Sequence, residues 1–160
     1  MSSSATQESS VIKSGFKLNL WHISLVLVVI GILISGYISF TELTDTSTVC
    51  IDSGQINCDV VQNSVYSTLM GIKITYLGFA TYIGLLVLLL LESRVGFLRE
   101  YGAMIVFGIT LFAFMYSMWL VYVQAGILKA FCLWCLSHEL TMTILFIVSA
   151  VRMWNVLKSQ

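Results

Sequence analysis

The chain has 160 residues, of which 58% are hydrophobic and 10% charged, and its formal net charge is zero. An ordinary soluble domain carries about 25% charged residues, so this is the composition of a membrane protein, and the neutral balance gives no reason to expect a nucleic-acid partner. The length suits one compact unit, and with no proline present helix ends must come from glycine, polar residues or the membrane boundary.

Met1–Asn19 is rich in serine and reads as a disordered cytoplasmic tail. A signal peptide is disfavoured, because the apolar run that follows is longer than a usual signal core and Ser39-Phe40-Thr41 offers no small-x-small cleavage pattern. That run, Leu20–Phe40, is the first of four that can cross a hydrocarbon core, a distance of roughly 20 helical residues; the others are Ile74–Leu91, Gly102–Val123 and Ala130–Val151. Runs this long and continuously apolar fit helices, so the predicted architecture is an all-α, four-helix membrane bundle over residues 20–153, with a second short tail at 154–160. Gly31, Ser35 and Gly36 give the first helix a small-residue face for close packing on a neighbour.

Four crossings put both termini on one side. Lys13, Lys17, Arg94, Arg99, Arg152 and Lys158 flank one set of helix ends, and only Lys73 and Lys129 flank the other. Basic residues favour the cytoplasm, so both termini are expected there, with all four cysteines on the extracytoplasmic side where disulfides persist.

The loop from Thr41 to Lys73 is the longest segment outside the membrane and carries Glu42, Asp45, Asp52 and Asp59 besides Cys50 and Cys58. Asp52-Ser53-Gly54 is a turn signal that can bring the two sulfurs together. Beyond Cys58, an apolar face built from Val60, Val61, Val65, Tyr66, Leu69 and Met70 predicts a short surface helix over the mouth of the bundle. Glu92–Tyr101 reads as a simple hairpin between the second and third crossings. In the third, Thr110 and Ser117 are expected to bond to the preceding turn or a neighbouring helix, and its methionines and phenylalanines to pack.

Cys132 and Cys135 open the fourth crossing. Three residues apart on a helix they share a face and can form a disulfide or act as a dithiol, and the unpaired N–H groups of a first helical turn favour the reactive thiolate. With Cys50 and Cys58 in a movable loop on the same side, they make the parts of an electron relay by thiol–disulfide exchange. A four-cysteine zinc site would show two short-spaced pairs, and only one pair here is C-x-x-C, so no metal is expected. Glu139, one turn beyond Cys135, is an acid inside a crossing: either a proton source beside an electron acceptor or a protonated side chain bonded to another helix. His138 is read as structural. A lipid-soluble quinone takes two electrons and two protons and so matches one dithiol's output, while no nucleotide fingerprint or facing histidine pair suggests another acceptor. A non-catalytic four-helix scaffold with structural disulfides is the alternative.

Cys50 and Cys58 with Ser64 six residues on, the stretch Cys58-Asp59-Val60-Val61 through Tyr66, Thr68-Leu69, Gly71-Ile72 and Leu77-Gly78, and the later Cys132-x-x-Cys135 together resemble the vitamin K epoxide reductase family in its bacterial stand-alone form. The resemblance spans roughly Leu20 to Met153. It implies a four-helix bundle around a quinone such as ubiquinone or menaquinone, with Cys135 next to the ring, Cys132 exchanging with Cys58, and Ser64 hydrogen bonding near the pocket. It also implies that Cys50 takes electrons from a DsbA-like or thioredoxin-like partner, a separate protein because this sequence stops at Gln160 without the fused thioredoxin-like domain of some relatives. Lys73 and Leu133 stand where many bacterial relatives have proline, and Glu139 stands where the animal enzymes have tyrosine.

Overall fold

The computed structural model of the protein describes residues 3–44, 46, 49–50, 54 and 56–158, with side chains described from Leu20 onward. Helix α1 spans Ser3–Leu43, α3 Ile74–Glu92, α4 Gly96–Tyr122 and α5 Leu133–Leu157. Each holds a stretch long and apolar enough to cross a membrane, the third continuing through a π-helical turn at Val123–Leu128. The protein is an all-α membrane bundle, as its composition predicts.

Both end helices extend beyond the apolar runs read from the sequence. Helix α1 starts at Ser3, so the backbone of residues 3–19 leads into the first crossing as one helix, a rod nucleated by the apolar run extending at little cost. Helix α5 likewise runs past Met153 to Leu157, ending with Lys158 over the Trp154 ring. Met1, Ser2, Ser159 and Gln160 lie outside the described residues.

Helix α1 packs on α3 and α5, and α4 packs on α5. Lipid tails are as apolar as leucine, so burying leucines cannot by itself drive these contacts; close van der Waals packing has to. Gly31 is where it happens: the Tyr82 ring of α3 occupies the space a Cβ there would need, and Phe79 lies 3.3 Å from the Cβ position of Gly36. Tyr82 then joins Val28, Leu85, Leu89, Val106, Met142 and Leu145 in the central core. The small-residue face of α1 is therefore an α3-packing face. Thr110 donates to the Val106 carbonyl or shares a 2.7 Å hydrogen bond with Ser149 of α5, linking α4 to α5. At the end remote from the cysteines, Arg152 holds both oxygens of Glu92 at 2.6 Å, joining α5 to the end of α3.

The loop differs from the single surface helix predicted for it. Helix α2 covers only Cys58–Gln62 and is followed by a 3-10 turn at Val65–Ser67 and a two-strand hairpin, β1 Thr68–Leu69 against β2 Ile72–Lys73. Short polar side chains take the backbone bonds a longer helix would need. Ser64 donates to the Val61 carbonyl at 2.8 Å and Ser67 to the Ser64 carbonyl at 2.7 Å. At the hairpin, Met70 and Gly71 both have positive φ, 53° and 85°, as a two-residue turn between right-twisted strands requires. Of the turn expected at Asp52-Ser53-Gly54, Asp52 and Ser53 lie outside the described residues.

Candidate functional site

The fourth crossing begins later than its apolar run. Lys129 takes a left-handed conformation that ends the π-helical turn, and Ile56 of the loop pairs with Phe131 in a parallel bridge, the Asn57 N–H donating to the Phe131 carbonyl at 3.0 Å. Cys132 is therefore extended (φ −106°, ψ 118°), so it is not the helical residue its spacing suggested. It is the N-cap of α5, and its sulfur accepts the Cys135 N–H at 3.3 Å.

Cys50 and Cys58 are joined in a disulfide, with Cα atoms 6.3 Å apart, while Cys132 and Cys135 are free thiols. Loop and helix pairs meet in one small core: Cys58, Val61, Ala130 and Cys132 are buried together, with Cys50, Cys135 and Trp134 packed against them. Hydrogen bonds hold the loop there from both ends. Besides the Asn57 bond, Trp134 Nε1 donates to the Val49 carbonyl at 3.0 Å, and Val49 N–H donates to the Tyr37 hydroxyl at 3.4 Å. The Tyr37 and Trp134 rings lie 4.6 Å apart.

The Cys132 thiol is lowered from the ordinary 9.0 to about 7, first by a hydrogen bond from the Cys135 thiol, against the opposing effect of burial, and further by the Cys135 N–H and the Gln62 amide. Gln62 Nε2 lies 3.8 Å from the sulfur, and Gln124 Oε1 accepts the Cys132 N–H at 3.2 Å. Sequence reasoning did not single out either glutamine. Each does lie close to a structural break beside a cysteine segment, which is where a buried backbone needs a side-chain partner.

On the other side of Cys135 lies a cavity of about 620 Å³ between the helices, roofed by the loop. Ser64, Cys135 and Glu139 all line it, so the expected pocket residues share one space; Cys50, Cys58 and Cys132 lie outside its wall. Ser64 directs its proton to Val61, which leaves its oxygen as an acceptor. Glu139 is 6% exposed and its Oε2 has no partner, and the same holds for the Oγ of Ser117, which also lines the cavity. Ser117 was expected to bond to the preceding turn or a neighbouring helix, and its hydroxyl does neither. His138 also lines the cavity: its ring meets Tyr82 edge-on at 5.3 Å, and Nδ1 lies 3.9 Å from Glu139 Oε1.

An apolar space of this size, with a few polar groups converging on it, has the character of a site for a small hydrophobic molecule. A ring in it would find hydrogen-bonding atoms from α4 and α5, and the residues present fit a quinone. A sequence model of the vitamin K epoxide reductase family matches residues 22–150, taking in all four crossings and all four cysteines. With four apolar helices, and a dithiol packed against a disulfide at one end of them, the chain belongs to the vitamin K epoxide reductase family and is a membrane thiol oxidoreductase.

Proposed function

We propose that the protein oxidises the dithiol of a separate thioredoxin-fold partner and passes the electrons to a membrane quinone, so that the partner can insert disulfides into exported proteins. The cysteine end of the bundle faces the extracytoplasmic side and both termini face the cytoplasm, a reading supported by the distribution of basic residues. The observation that carries the proposal is Cys135, whose thiol borders the cavity on one side and Cys132 on the other, with Cys132 buried against Cys58.

Electrons arrive in two exchanges. The partner's two thiols reduce the Cys50–Cys58 bond, and the partner leaves with a disulfide. Cys58 thiolate then attacks Cys132 of an oxidised Cys132–Cys135 pair, and Cys50 resolves the mixed disulfide by bonding to Cys58, leaving Cys132 and Cys135 reduced. The disulfide and free thiols described above correspond to this last state. Re-forming the Cys132–Cys135 bond releases two electrons, and a quinone in the cavity takes them with two protons to become a quinol. Glu139, with its unpartnered oxygen, hands the proton of Cys135 to the nearer ring oxygen, the Ser117 hydroxyl donates to the ring, and Ser64, whose own proton is held by Val61, accepts from a quinol O–H once it forms.

The test is direct: full-length protein with a reduced thioredoxin-fold partner should bleach the absorbance of an added quinone. A Cys135→Ala variant that still did so would remove the assignment. In cells, a relay's cysteines become reduced when quinone is depleted, whereas those of a scaffold stay oxidised.

A further inference from the structure

The cavity wall holds a second carboxylate that the cysteine exchange does not use. Glu42 stands in the last turn of α1 with its side chain only 4% exposed, and it lines the cavity with Cys135 and Glu139. Its Oε1 accepts from Lys73 Nζ at 3.2 Å, and its Oε2 accepts from the Thr75 hydroxyl. Lys73 is 33% exposed, so its ammonium reaches solvent at the cysteine end of the bundle while Glu42 and Thr75 face inward. A polar strip thus runs from water through the wall into an apolar cavity. Glu139 is not part of that strip: its neighbour is His138, with Nδ1 3.9 Å from Oε1 and Nε2 turned toward Gly78. The other titratable groups on the cavity wall are Tyr116 of α4 and Tyr66 of the 3-10 turn.

Resting on the quinone reading above, we propose that Glu42, charged and discharged beside Lys73, relays into the cavity the one proton for quinol formation that the cysteine pair does not itself carry. Forming the Cys132–Cys135 bond yields two electrons, and turning a quinone into a quinol makes two O–H bonds, so two protons are consumed. The Cys132 sulfur accepts from the Cys135 thiol, the Cys135 N–H and the Gln62 amide, which holds its thiol down to about 7 and favours the thiolate, so the pair brings two electrons but little more than the proton of Cys135. The second proton comes from water at Lys73, is held by the Glu42 carboxyl and passes to a ring oxygen. Glu42 then returns to the anion that Lys73 pairs with.

Pre-reduced, full-length protein in detergent, mixed with a short-chain benzoquinone in a stopped-flow instrument, tests this. Glu42→Gln should slow quinone reduction by about 10- to 100-fold, within the range of general acid contributions. It should leave reduction of Cys50–Cys58 by dithiothreitol at the wild-type rate, and added formate or azide, as small diffusible acids, should restore much of the loss. Lys73→Gln takes away the cation through which the strip meets water and should slow quinone reduction as well, with the same relief by added acid. Quinone reduction by Glu42→Gln at the wild-type rate, or slowing that no added acid relieves, overturns the proposal. So does Lys73→Gln at the wild-type rate, which decides alone if the Glu42 variant does not fold. Wild-type protein that fails to reduce the quinone sinks the quinone reading itself, and the relay with it, whereas active wild type with indifferent variants sinks the relay only.

Discussion

Cys132 Sγ accepts the backbone N–H of Cys135 at 3.3 Å, so one sulfur of the redox pair caps the helix that carries the other. The capped N–H is one of the orphan donors of a helix start, where partial positive charge accumulates, and it faces the sulfur whose thiol is lowered to about 7. Reactivity and local structure are tied at this residue.

The first consequence is a pH dependence. With the Cys132 thiol at about 7, the thiolate share rises as pH rises through neutrality. In a variant with Cys50 and Cys58 both changed to serine, iodoacetamide labelling of Cys132 should speed up about fivefold from pH 6 to pH 7 and about twofold from pH 7 to pH 8, following the thiolate fraction. Gln62→Leu removes a donor to the sulfur and should move this midpoint upward. Peptide mass spectrometry at a series of pH values gives the curve; a midpoint near 9 in the parent would contradict it.

Capping also separates serine from alanine at the same position. Cys132→Ser keeps an acceptor for the Cys135 N–H, whereas Cys132→Ala leaves it bare and should cost about 1 kcal/mol more in stability. Both lose electron transfer. Thermal unfolding in detergent measures the difference, and equal melting temperatures would show that the cap contributes nothing.

Glu139 and Ser117 should divide their effects on the quinone step. Glu139→Gln is expected to slow quinone turnover while dithiol exchange at Cys50–Cys58 remains intact. Ser117→Ala deletes a free hydroxyl on the cavity wall and should raise KM for quinone several-fold, roughly 1 kcal/mol for one hydrogen bond, with little effect on kcat. Steady-state kinetics against quinone concentration resolves the two, and an unchanged Glu139→Gln enzyme would make that carboxyl structural.

Trp134 fastens the loop beside Cys50. Trp134→Phe keeps a ring against Tyr37 but deletes the 3.0 Å bond to the Val49 carbonyl. Losing about 1 kcal/mol of docking should raise the rate of Cys50–Cys58 reduction by dithiothreitol about fivefold, because the disulfide spends more time undocked. A rate no faster than wild type would mean the loop opens without releasing this bond.

The four crossings were legible from hydropathy alone, because a bilayer imposes a length on any apolar run and a helix on any backbone inside it. C-x-x-C beside a helix start and an acid one turn further on are local patterns, visible in the sequence, and Cys135, Glu139 and Ser64 line one cavity. The small face of α1 was visible at Gly31, though not that Tyr82 would fill it.

What hydropathy could not reveal depends on partners distant in sequence. That Cys132 leaves the helix to cap it follows from Phe131 bridging to Ile56 and from Gln124 taking the Cys132 N–H, contacts made only once the loop has docked. Gln62 reaches the sulfur, and Glu42 meets Lys73 and Thr75, only because α1, α3 and the loop close around the same space. Sequence alone determined which segments enter the membrane and where the sulfurs lie along the chain, since both follow from short-range pattern. Tertiary structure decided which sulfur accepts the hydrogen bonds and which polar atoms face the cavity, because hydrogen bonds and burial are set by neighbours that the chain brings together only on folding.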